Sequence, residues 1–158
     1  MKNKYPSLEP AVPGATAFQQ AQQIWMILIS FIMHEIEFLD SQKTVRNCRL
    51  MPPATLTYGE LALKLGYDDK RAGHGLGYPL GILAVLCINS KLPAINTLVV
   101  NQVTGKPGES VLYHGDLETE QRMVFEHREW FSYRIPTVEE LEAASVQIPE
   151  EVRKQINQ

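Results

Sequence analysis

Apolar residues recur at Phe18, Ala21, Ile24, Leu28, Ile32, Ile36 and Leu39, a spacing of three and four that an α-helix turns into one continuous face. Ile27 and Phe31 widen that face. The pattern predicts one long helix from Ala15 to about Gln42, either central to the core or part of a dimer interface. The longest apolar run in it, IWMILISFIM from Ile24 to Met33, falls well short of the roughly 20 residues that a transmembrane helix needs. The preceding head, MKNKYPSLEPAVPGA, is polar and proline-rich and lacks the features of a signal peptide. A cytoplasmic protein with no membrane partner is expected.

The rest of the chain is read from its punctuation. Pro52 and Pro53 forbid helix continuation. Thr57-x-x-Glu60 then forms a capping box, opening a short helix that presents Leu61, Ala62 and Leu65 and ends at Gly66, which suits a left-handed C-terminal cap. YDDKRAGHGLGYP follows as a turn and a glycine-rich helical turn. Pro79 is placed as the first residue of a helix to Ser90, apolar nearly all round and therefore buried. TLVVNQVTGKPGESVLYH reads as a β-hairpin whose turn holds Gly105, Pro107 and Gly108. Asp116 caps a helix to about Phe131, and a second capping box at Thr137 and Glu140 starts a short acidic helix.

This order predicts a mainly α fold with a small β-hairpin (α+β): a single winged helix-turn-helix-like domain with a long N-terminal helix. The expected boundaries are a flexible head over 1–14, a domain over 15–144 and a C-terminal tail over 145–158. Within the domain they are a helix over 15–42, a helix-turn-helix over 57–90, a hairpin over 97–114 and a helix over 116–131. At 158 residues the chain is large enough to bury a core without disulfides or metals. The two cysteines, Cys48 and Cys87, are too few for a disulfide framework, and Cys87 in GILAVLCI reads as a buried structural thiol.

Charge is uneven. Residues 1–106 carry ten Lys or Arg against seven Asp or Glu, and residues 107–158 carry five against eleven. The net charge of −3 argues against a general attraction to nucleic acid, while the distribution leaves room for a local basic face away from the acidic tail.

One set of motifs has a known counterpart. Thr57-Tyr58-Gly59 at a helix start, Gly66-Tyr67 at its end, Arg71-Ala72 opening the next turn, then Leu92-Pro93 and LVVN with a glycine turn, resemble the C-terminal domain of alkylguanine-DNA alkyltransferases and the inert alkyltransferase-like proteins. FQQAQQIW is similar to the family's preceding helix. The resemblance implies a winged helix-turn-helix that binds the DNA minor groove. It also implies a tyrosine, here Tyr58, that helps rotate a nucleotide outward, and an arginine, here Arg71, that fills the gap. Extruding a base costs a few kcal/mol of stacking that an inserted side chain partly restores. The family's alkyl-accepting cysteine falls on Ala94 or Ile95, so alkyl transfer by that mechanism is excluded. About fifty residues are covered, with extra residues between Trp25 and Tyr58, a longer Phe18 to Trp25 spacing, and one residue fewer in RAGHGLG.

Other chemistry has less support. His34 beside Glu35 lacks the second histidine of a zinc-protease motif and reads as a helix-surface residue. His74 lies between glycines next to Arg71, where it suits phosphate contact or a structural role. His114 with Asp116 suits a base with its orienting carboxylate, although Asp116 is also the cap of the next helix. No cofactor or metal site is implied, and catalytic residues are not assigned. The expected function is non-catalytic DNA binding through Tyr58, Lys70, Arg71, His74 and Lys106. The alternative is a protein-interaction component of a phage-defence, toxin or mobile-element system. It would work through a protein partner or as a homo-oligomer, using the 15–42 helix or the aromatic cluster over 123–133. A weaker alternative is a nuclease or toxin enzyme using His74 and His114.

Overall fold

Thr16 and Gln19 open the first helix reciprocally: the Gln19 amide donates to Thr16 Oγ1 at 3.1 Å and the Thr16 amide to Gln19 Oε1 at 2.9 Å. The helix they start, α1, runs Ala17–Ser41 in a computed structural model that describes residues 16–41, 52–108, 113 and 115–148. Its buried side holds Ala21, Ile24, Leu28, Ile32 and Ile36, as the spacing predicts, but Trp25 and Ile29 widen it rather than Ile27 and Phe31. The buried stripe is therefore rotated toward Trp25, whose ring meets Trp130 edge-on with centroids 6.1 Å apart. Ile27 and Phe31 are only half-buried.

The segment expected to form a helix-turn-helix follows. A two-residue strand β1, Leu56–Thr57, leads directly into α2, Tyr58–Leu65. Thr57 caps α2 by accepting the Glu60 amide at 3.0 Å, and Gly66 ends it at φ 104°, the left-handed region that a β-carbon disfavours. A 3-10 helix over Lys70–Gly75 is followed by α3, Gly77–Asn89. Pro79 thus lies in the first turn of α3 rather than at its first residue, where its missing amide is still no loss. Pro79 to Val85 and Cys87 are all buried, as the all-round apolar pattern predicts.

The strand expected to begin a hairpin does something else. Ile95–Leu98 forms a 3-10 helix, and β2, Val99–Val100, pairs in parallel with β1 in the register Leu56 to Val99 and Thr57 to Val100. The chain does turn back after β2, with the Asn101 amide donating to the Lys106 carbonyl at 2.8 Å. Most of the far arm of the expected 97–114 hairpin lies outside the described residues.

Asp116 caps α4, accepting the Thr119 amide at 3.0 Å, but α4 spans Leu117–Glu126 and not the expected 116–131. The helix stops because Trp130 folds back beneath it. The indole Nε1 donates to the Val124 carbonyl at 2.9 Å, and the side chain is fully buried. A 3-10 turn over Trp130–Ser132 carries it. The last helix, α5, spans Val138–Ser145 behind the expected capping box, in which Thr137 and Glu140 each satisfy the other's backbone amide. One apolar core takes residues from all five α-helices and both strands, with α3 packed against α1 and α5. The fold is mainly helical, and among the described residues no helix is long and apolar enough to cross a membrane.

Candidate functional site

The segments that carry the predicted residues converge on the N-terminus of α2. Tyr58 is half-buried, and its hydroxyl oxygen accepts the Gly108 amide at 3.0 Å. That bond ties the loop after β2 to the start of α2. Burial raises the Tyr58 pKa above that of a free phenol, and the Gly108 amide partly offsets the rise. Tyr58 is thus a neutral, anchored ring with limited exposure.

Two glycines bring the 3-10 helix against the same point. A methyl group on Gly73 would lie 2.6 Å from the Tyr58 carbonyl oxygen and 2.7 Å from its carbon. One on Gly59 would lie 3.0 Å from Lys70 Cβ. Backbone therefore packs on backbone here, a separation that only glycine permits at position 73. The spacing in TYG and RAGHG is explained by this contact before any ligand is considered. Lys70 and His74, immediately flanking it, are exposed.

Arg71 has a structural duty in the segment that carries it. Asp69 caps the 3-10 helix, accepting the Arg71 amide at 2.8 Å and also the guanidinium, at 2.9 Å from Nε and 2.7 Å from Nη2. The pair is open to solvent, with side-chain exposures of 86 % for Arg71 and 52 % for Asp69. The guanidinium holds the Asp69 carboxyl below the usual range, and the carboxylate raises Arg71 in turn. An incoming phosphate must therefore compete with Asp69 for this arginine. The signal was present in the sequence, an aspartate two residues before the arginine at a helix start.

Lys106 lies in the loop after β2, two residues before the Tyr58 anchor. This loop is locally braced: Asn101 Oδ1 accepts the Val103 amide at 2.8 Å, and the Gly105 amide, at φ 69°, donates to the Asn101 carbonyl at 2.8 Å. Residues 101 to 106 are all exposed. Tyr58, Lys70, His74 and Lys106 thus lie on or within two residues of contacts to one helix start, with Arg71 on the same 3-10 helix. Glu60, Asp68 and Asp69 are exposed in the same segments, so positive charge there is partly compensated.

α3 contributes little surface to this face because its sides are buried, leaving the 3-10 helix to present polar groups. Further along, Ala94 and Ile95, the positions where the alkyl-accepting cysteine falls, are fully buried. The Ala94 amide donates to the buried Glu120 carboxylate at 2.8 Å. Cys87 is beside them, bonded to the backbone of Ile95, yet its thiol is pushed up to about 12 by burial, with the Glu120 charge adding to the rise. A thiol held protonated and fully buried is no nucleophile.

The remaining candidates are dispersed. His34 is exposed on α1, remote in sequence from the others. His114 lies outside the described residues, while Asp116 is engaged as the α4 cap. Of the 123–133 aromatic cluster, Trp130 is core and Tyr133 stacks on His127, its hydroxyl 2.9 Å from His127 Nε2. Phe131 stands 67 % exposed, with Met123 and Ile135 also on the surface.

No family model, curated protein or solved structure matches this chain.

Proposed function

We propose that this protein binds DNA without catalysing alkyl transfer, through a winged-helix-like domain related to the alkyltransferase-like proteins. The observation that carries this reading is the convergence on the α2 N-terminus. The Gly108 amide on Tyr58 and the Gly73 backbone against the Tyr58 carbonyl bring the loop after β2 and the Lys70–Gly75 helix to one helix start. Lys70, Arg71, His74 and Lys106 then supply the phosphate contacts, and Tyr58 supports the loop from within. Among the described residues, the buried Ala94 and the inert Cys87 offer no acceptor for an alkyl group. The test is an electrophoretic shift series on single-stranded, duplex and modified DNA at several salt concentrations. Binding that weakens with salt and is lost in a Lys70→Ala, Arg71→Ala protein supports the reading; binding unaltered by that pair defeats it.

A second reading, an interaction protein of a phage-defence, toxin or mobile-element system, is favoured by the exposed Phe131, Met123 and Ile135. An obligate oligomer with no DNA affinity, seen by size-exclusion chromatography with light scattering, would select it.

A further inference from the structure

The rotation of the α1 core stripe toward Trp25 and Ile29 leaves Ile27 and Phe31 half-buried at the edge of the core, on the side of α1 that faces Lys64 of α2. The result is an open groove of about 430 Å³ between the two helices, lined by Met26, Ile27, Ser30, Phe31, His34 and Lys64. Its volume falls in the range of roughly 300–1,000 Å³ typical of small-molecule sites. The floor is thioether, aliphatic and aromatic. The polar groups on it are an ammonium, an imidazole and a hydroxyl, and among the described residues no carboxylate lines it. Among the described residues none of these three side chains has a hydrogen-bond or ion-pair partner. Met26, Ser30, His34 and Lys64 are all exposed, so the polar groups stand at the rim above a floor that water solvates poorly.

We propose that this groove binds a small amphiphilic carboxylate: an anionic head paired with Lys64 and hydrogen-bonded by Ser30 and His34, on an apolar body lying over Met26, Ile27 and Phe31. The charge selects the head, since a cation would meet Lys64 and a neutral polar body would leave the apolar floor unfilled. The volume, within the range of small-molecule sites, selects a small molecule. The site shares no residue with the proposed DNA face, so the two readings stand or fall separately.

The test uses the full chain with anilinonaphthalene sulfonate as a fluorescent probe and decanoate as competitor. Saturable 1:1 probe binding that decanoate displaces is expected, with decanol at least about tenfold weaker. Lys64→Met should weaken decanoate about tenfold, Lys64→Arg should keep it within about twofold, and Met26→Asp should abolish it. Each variant's thermal midpoint is read alongside, so that misfolding is distinguished from loss of the site. The proposal is overturned by absence of saturable binding up to about 1 mM, by equal affinity for decanol and decanoate, or by an unchanged Lys64→Met protein. It is equally overturned if sedimentation shows the groove covered by a second copy that decanoate does not disperse.

Discussion

The hydroxyl oxygen of Tyr58 accepts the backbone amide of Gly108 at 3.0 Å, across 50 residues of chain. A side chain at the first residue of a helix thereby fixes a loop that no local signal would place there. Removing it without changing the ring tests that role. Tyr58→Phe should cost about 0.5–1.5 kcal/mol in urea unfolding, the net worth of one hydrogen bond. Amide exchange at Gly108 should accelerate selectively, while exchange in α3 should change no more than global stability does.

Gly73→Ala places a methyl group 2.6 Å from a backbone oxygen that has little freedom to move. The 3-10 helix must lift from α2, and a loss of about 1–3 kcal/mol is expected from overpacking of this kind. Gly75→Ala, where nothing lies within 4 Å, is the control and should leave the thermal midpoint nearly unchanged.

Asp69→Asn should release Arg71. If the DNA reading holds, affinity for duplex DNA rises and the slope of log K against log salt steepens by about one phosphate contact. The wild-type pair carries a pH signature of the same sign. Its carboxyl is depressed in the folded protein, so the pairing is intact at neutral pH and above, and is lost as pH falls through that depressed value. In wild type the affinity should therefore rise below the usual carboxylate range, a rise the Asp69→Asn protein lacks at this position. Parallel titrations of the two proteins measure the difference.

Cys87 should resist alkylation in the native protein. Iodoacetamide labelling followed by peptide mass analysis should leave Cys87 unmodified at neutral pH and modify it fully in denaturant. Rapid native labelling of Cys87 would show that the core around Ala94 opens, and would reopen the question of group transfer there.

Trp130→Ala should be the most damaging of the substitutions considered, by about 3–5 kcal/mol. It removes a fully buried ring packed on Trp25, His127 and Tyr133, together with the bond from Nε1 to Val124. Denaturant unfolding followed by circular dichroism measures it.

The features legible in the sequence are those written within one turn of chain. Gly66, Asp116, and Thr137 with Glu140 each act across three or four residues and cap their helices as the local pattern predicts, while of the capping box expected at Thr57 and Glu60 the half in which Thr57 accepts the Glu60 amide forms. The apolar α3 and the buried Cys87 follow from composition alone. Interactions across longer separations were not legible. Val99 carries strong β propensity, but propensity does not choose a partner, and Leu56 lies far upstream. The early end of α4 is set by Trp130 competing for the core, which periodicity cannot anticipate because Val124 and Phe131 keep helical spacing. Of the candidate site, the residues could be named from the sequence, but the contacts that bring their segments to the start of α2 could not. The Asp69 to Arg71 pair lies between the two cases, since its two-residue spacing is visible and its geometry is not.

The parallel pairing of β1 with β2 is only two residues long, yet it joins the residues just before α2 to those that follow the 3-10 helix Ile95–Leu98. It works as a clasp: α2, the 3-10 helix and α3 all lie within the loop it closes. Loop-closure entropy rises slowly with length, so the clasp tolerates insertions inside the loop far better than damage to its own backbone bonds. Opening it would release both the Tyr58 anchor and the Lys70–Gly75 helix from their shared support. The candidate DNA face should accordingly exchange and unfold as one cooperative unit, distinct from α1 and α5.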